Sequence, residues 1–142
     1  MTESTKPETA ASAASELTRL PHLADSIGQF DISREIAQLR PEDSWQRGTG
    51  RSSKTLVKHP DFRIVLTLMK AGTHVKEHRT DARISIQAVL GRIRLQLPQR
   101  AIELTMGQFL ALDSEVPHDV EALEESAFLL TIGSRHVAST ES

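Results

Sequence analysis

Six histidines carry most of the chemistry open to this 142-residue chain. His22 and His136 lie in polar terminal segments and carry no assignment. His59 sits in a His-Pro-Asp turn, which points to the surface. His74, His78 and His118 fall among alternating apolar residues, where a side chain can be held in place. An imidazole titrates near neutrality, so these three suit general acid–base work or, when neutral, metal ligation. Little else competes with them. The chain has no cysteine, hence no disulfide, thiolate metal site or thiol nucleophile. It has no tyrosine to serve as a phenolic acid. No Gly-rich phosphate loop, Gly-x-Ser-x-Gly elbow or His-Glu-x-x-His pair occurs.

The elements that must position these histidines are read from periodicity. From residue 54 onward apolar residues alternate with polar ones, the period of half-buried strands. Leu56 and Val57 begin a short strand. In 62–69, Phe62, Ile64, Leu66 and Leu68 share one face, opposite Arg63, Val65, Thr67 and Met69. Ile84, Ile86, Ala88 and Leu90 form the next face, followed by Ile93, Leu95 and Leu97, then Ile102 and Leu104. Segments 109–112, 118–123 and 128–132 complete the set. Turn residues separate them, among them Ala71-Gly72, Gly91, Pro98-Gln99 and Met106-Gly107. Seven or eight short strands with no intervening helix predict an antiparallel sandwich or small barrel. Before them, 30–40 reads as a short helix: Asp31 or Ser33 caps it, Ile32, Ile36 and Leu39 share a face, and Pro41 follows. Trp45, the single tryptophan, is expected in core or lid packing. The expected organisation is a flexible tail over 1–28, the helix and a connecting segment over 29–53, a barrel over 54–133 and a flexible end over 134–142.

Composition bounds the partners. Seventeen Lys and Arg against nineteen Asp and Glu leave a net charge of −2, which argues against a dedicated nucleic-acid binder. No apolar run approaches the ~20 residues a membrane-spanning helix needs. The start lacks an apolar stretch behind a basic end, so it does not read as a secretory signal. A cytoplasmic protein is the expectation.

Two spacings then stand out. Gly72, five residues, His78, one residue, Thr80, three residues, Ile84, six residues and Gly91 form the first. Gly107, five residues, Asp113, one residue, Glu115, two residues, His118, three residues and Ala122 form the second, and 15 residues (92–106) separate them. In spacing, these resemble the two motifs of the cupin family, over roughly residues 54–133. The resemblance implies an all-β fold, a double-stranded β-helix (jelly-roll) cupin barrel, here with a short N-terminal helix. It also implies a homodimer, for which the face carrying Gln87 and Val89, with the helix and Trp45, is the candidate contact surface.

Cupins of this kind commonly bind a divalent metal (Fe, Mn, Ni or Zn) with two His and a Glu from the first motif and a His from the second. Here His78 and His118 occupy two of those positions, while Thr80 and Ile84 replace a His and the Glu. His74 shares strand parity with His78 and is the candidate third ligand. Four residues along a strand span about 13 Å, however, and ligands must come to ~2.1 Å from the metal. The same parity places Lys76 and Thr80 beside His78 facing inward, with Glu77 and Arg79 outward. Ile84, Ile86, Ala88 and Leu90 follow one inward face, and His118, Val120 and Ala122 another. Three readings remain open on these residues: a barrel binding a small molecule with His78, His118, Thr80 and Lys76 as its polar points, a metal-dependent oxygenase or isomerase of a small organic acid or sugar, and a dimeric scaffold without catalysis.

Overall fold

The computed structural model describes residues 26–77 and 81–133. Five of the residues weighed above, His22, His78, Arg79, Thr80 and His136, lie outside them, as do most of the expected tails. The helix expected at 30–40 is α1, Ile32–Leu39. Asp31 caps it, its side chain accepting from the Arg34 N–H at 3.3 Å. A single turn, α2, follows over Asp43–Gln46.

Among the described residues nine strands come next: β1 (Arg51–His59), β2 (Phe62–Met69), β3 (His74–Glu77), β4 (Arg83–Leu90), β5 (Arg92–Leu97), β6 (Arg100–Thr105), β7 (Phe109–Leu112), β8 (His118–Ala122) and β9 (Ser126–Gly133). β3 is the strand that alternation did not single out, because Val75 is its only large apolar residue. The strands form a five-stranded sheet, β1-β2-β9-β4-β7, and a four-stranded sheet, β3-β8-β5-β6. Every described pairing is antiparallel. The all-β jelly roll is therefore as expected.

The sheets bury one face against each other. Met69, Ile84, Ile86, Ala88, Leu112 and Phe128 from the larger sheet meet Ile93, Leu95, Leu104, Val120 and Ala122 from the smaller. A second cluster lies on the outer face of the larger sheet, where Ile36, Leu39 and Trp45 cover Leu66, Leu68 and Ala127. β2 is thus apolar on both faces. Its Leu66 and Leu68 look out toward α1, while Thr67 and Met69 look into the barrel, where the Thr67 hydroxyl hydrogen-bonds Ser53 at 2.9 Å. A helix as short as α1 is marginal alone, so this buried stripe holds it.

One inward expectation is corrected. Leu90 does not follow Ile84, Ile86 and Ala88 into the barrel but packs in the outer cluster. The pairing of β4 with β9 shifts between Ala88 and Leu90, leaving Val89 as the extra residue of a bulge. One extra residue inverts the parity of everything beyond it. Val89 and Trp45, expected at a dimer contact, pack in that same cluster within one chain.

The barrel has two unlike ends. At one, backbone hydrogen bonds tie neighbouring turns together, including Lys70 to Gly50, Gly72 to Ala122 and Leu123 to Arg92. At the other lie the β1–β2 turn, the end of β3, the start of β4, the β5–β6 turn and the start of β8. The core is fully buried through Ala88, Ile93, Leu95, Val120 and Ala122. Leu95→Ala should lower stability by about 2–5 kcal/mol in urea unfolding. Phe109→Ser, at a residue 65 % exposed on edge strand β7, should change it by less than about 0.5 kcal/mol. Among the described residues, no helix is long and apolar enough to cross a membrane.

Candidate functional site

His118 opens β8 at the second of these ends. It shares the inward face with Val120 and Ala122 and is 4 % exposed. Such burial of a polar ring requires a partner. Its Nδ1 lies 3.0 Å from the Val116 carbonyl oxygen. A carbonyl only accepts, so in the neutral ring Nδ1 carries the proton and Nε2 keeps its lone pair. No other group among the described residues hydrogen-bonds this ring. The Val116 contact fixes both the tautomer and the ring orientation. Nε2 is left as an acceptor, a ligand atom or a base.

The surroundings are apolar. Val116, Leu97, Ile132, Ile102, Leu110 and Val75 pack against the core but are only partly buried. Leu97, Ile132 and Val116 sit at the same end as His118, because β5 and β9 finish there and the β7–β8 connection crosses it. Among the described residues the barrel thus grades from a closed end to a rim where Leu97, Val116 and Ile132 accompany one oriented imidazole.

Two other expected residues face elsewhere. β3 pairs with β8 so that Val75 opposes Val120, Lys76 opposes Asp119 and His74 opposes Glu121. Residues directly opposite share a face, so Val75 takes the inward side. Lys76 is exposed, and the His74 side chain is 63 % exposed with Nε2 3.9 Å from Glu121. An inward His78 would put His74 and Lys76 on the inner face. The register is instead set by the apolar Val75–Val120 pair. His74 and His118 therefore lie on opposite faces of one sheet and cannot hold the same ion, and Lys76 is not a polar point of the interior.

The outer face that receives His74 is a charged ladder. Glu121 continues to Arg94 at 3.4 Å, Arg94 to Glu103 at 3.4 Å, Glu103 to Arg92 at 3.2 Å and Arg92 to Glu124 at 3.8 Å. Exposed pairs of this kind contribute about 0–1 kcal/mol each. Their chemistry is that of a solvated sheet surface.

The described residues do not fit a divalent-metal centre. Ile84, at the position where the cupin resemblance implies a carboxylate, is buried in the core and its side chain offers no oxygen. No group of three His, Asp or Glu converges among the described residues. Of the expected set, His118 faces inward and His74 does not, while His78 lies outside the described residues; stable zinc or iron sites use three or four protein ligands.

Comparison with known proteins turns on fold. No protein-family model and no curated protein matches the chain. Solved structures do match. A cupin superfamily protein from Desulfitobacterium hafniense is 15% identical, with a TM-score of 0.58 over 59% of this chain and 77% of its own. An RmlC-like cupin from Desulfovibrio desulfuricans is 19% identical, with a TM-score of 0.54 over 79% of this chain and 93% of its own. A conserved protein of unknown function from Streptococcus pyogenes is 18% identical, with a TM-score of 0.59 over 78% and 92%. At these identities the likeness shows the fold, and a shared fold does not transmit an activity.

Proposed function

We propose that this cupin-fold chain binds a small, largely apolar molecule at the open end of its barrel, with His118 Nε2 accepting a hydrogen bond from it. The observation that carries the reading is the state of His118: buried, tethered through Nδ1 to Val116, with no described partner for Nε2. Small-molecule sites pair an apolar wall with a few oriented polar groups. The partly buried rim of Leu97, Val116 and Ile132 supplies the wall. The preferred ligand carries a hydroxyl or N–H donor beside an apolar body. The expected dimer remains part of this proposal, as do Thr80 and His78 as further polar points of the mouth.

A library of small hydroxyl- and amide-bearing compounds, screened by amide chemical-shift mapping, tests it. Binders should shift Val116, His118, Leu97 and Ile132 together. His118→Leu should weaken them about fivefold to tenfold, the worth of one buried hydrogen bond. Binders that ignore His118→Leu, or a library without any saturable binder at the rim, would refute the reading.

A further inference from the structure

The β1–β2 hairpin ends at the same end of the barrel, and its charges are arranged at a cost. Lys58 pairs directly with Arg63 across the ladder. Like charges directly opposite one another in an antiparallel pair destabilise it. No acid offsets them: among the described residues neither Lys58, His59 nor Arg63 makes an ion pair or side-chain hydrogen bond, and Asp61 in the turn meets none of them. Several other cations are paired, as Arg83 is with Asp113 at 2.9 Å and Lys54 with Glu35 at 2.7 Å; what sets Lys58 and Arg63 apart is that they oppose each other directly.

These unpaired cations border a concavity. Lys58, His59, Pro60, Phe62, Arg63 and Ile132 line an open cleft of about 280 Å³. That volume is near the lower end of small-ligand pockets, about 300–1,000 Å³, and fits a single ring or short chain. Its walls combine two fixed positive charges with the apolar surfaces of Phe62, which is 41 % exposed, and Ile132. An anion with an apolar body satisfies both features at once. It relieves the Lys58–Arg63 repulsion, and the guanidinium fork matches a planar carboxylate in two parallel hydrogen bonds.

From this we infer that the β1–β2 hairpin cleft is a binding site for small organic carboxylates, held between Lys58 and Arg63 against Phe62 and Ile132. Ile132 borders both sites, but His118 is not among the lining residues of this one, so it does not depend on the reading of His118 at the barrel mouth. The competing role for the same charges is protection of β1, an edge strand, against pairing with other chains. Edge protection needs no ligand.

Benzoate, with benzamide as its neutral counterpart and inorganic phosphate as an anion without an apolar body, distinguishes these roles. In low-salt buffer, benzoate should shift the amides of Lys58, His59, Phe62, Arg63 and Ile132 saturably. Benzamide and phosphate should bind at least about tenfold more weakly. The double variant Lys58→Ala/Arg63→Ala should lose benzoate binding about tenfold or more while its thermal midpoint stays level or rises, since a repulsion is removed. Raising ionic strength to about 0.15 M should weaken binding, as the Debye length falls to ~8 Å. His118→Leu should leave benzoate binding at the hairpin unchanged. The proposal is overturned if benzoate gives no saturable shift, if benzamide or phosphate binds as well as benzoate, or if the double variant binds benzoate like the native chain.

Discussion

Gly91→Ala should destabilise the protein by about 2–5 kcal/mol, the sum of a left-handed backbone penalty and a forced overpacking. Gly91 turns β4 into β5 with φ +71°. A Cβ there would lie 2.2 Å from the Glu125 carbonyl oxygen and 2.5 Å from Ser126 Oγ. Neither can retreat easily. Ser126 is fully buried, and its hydroxyl accepts from the Arg92 N–H at 3.0 Å, with the Glu124 carbonyl 2.7 Å away to receive its proton. That hydroxyl locks the start of β9 onto the β4–β5 turn. Gly107→Ala is the control: φ is +93°, but nothing lies within 4 Å of the added atom. It should cost only the backbone term, about 1–2 kcal/mol. Urea unfolding of both variants checks the difference. Equal losses would mean that the Glu125–Ser126 contact is not tight.

Trp45→Ala should cost about 3–5 kcal/mol, the range for truncating a buried aromatic. The ring is 7 % exposed and packs with Ile36 and Leu39 over Leu66, Leu68 and Ala127. Lys70 and Arg40 lie over it at 5.2 and 5.9 Å from the ring centroid, adding about 0.5–1 kcal/mol each at an exposed site. Arg40 also pairs with Glu125, and Lys54 with Glu35, so charges orient the helix that apolar burial holds. The loss should appear first as faster amide exchange in Ile32–Leu39, because α1 cannot persist without its packing. Trp45→Phe should recover more than half of it. Unchanged exchange in α1 would show that the helix is held by other contacts.

The strand pattern was legible because most strands bury one face: Ile84, Ile86 and Ala88, Ile93 and Leu95, and His118, Val120 and Ala122 all point inward as their alternation requires. Which face is inward is a different question, and alternation within one strand does not answer it. β3 has only Val75 as an apolar guide, and the Val75–Val120 pair puts His74 and Lys76 on the outer face, opposite to the expectation. Leu90 escaped for a related reason: a bulge carries no composition signal in Ala88-Val89-Leu90. β2 was ambiguous because a helix covers its outer face, making both faces apolar.

The hairpin cations show the converse. Lys54, Lys58, Arg63 and Lys70 read as scattered charges on a solvated face, and His59 as a surface residue. Yet a two-residue Pro60-Asp61 turn already implies that His59 opposes Phe62 and Lys58 opposes Arg63, as the register has it. The signal was the turn rather than the charges. For His118 the sequence supplied the position through the motif spacing. The tautomer needed the Val116 carbonyl, which only the folded β7–β8 connection brings to Nδ1.

Side-chain ¹⁵N spectra of the His118 imidazole test the proposed site most directly. In the free protein Nδ1 should be protonated and Nε2 unprotonated at a pH where the ring is neutral. Compounds that bind at the rim should then shift Nε2 while leaving Nδ1 nearly unmoved. A ring protonated at Nε2 instead, or an Nε2 signal indifferent to every rim binder, would contradict it.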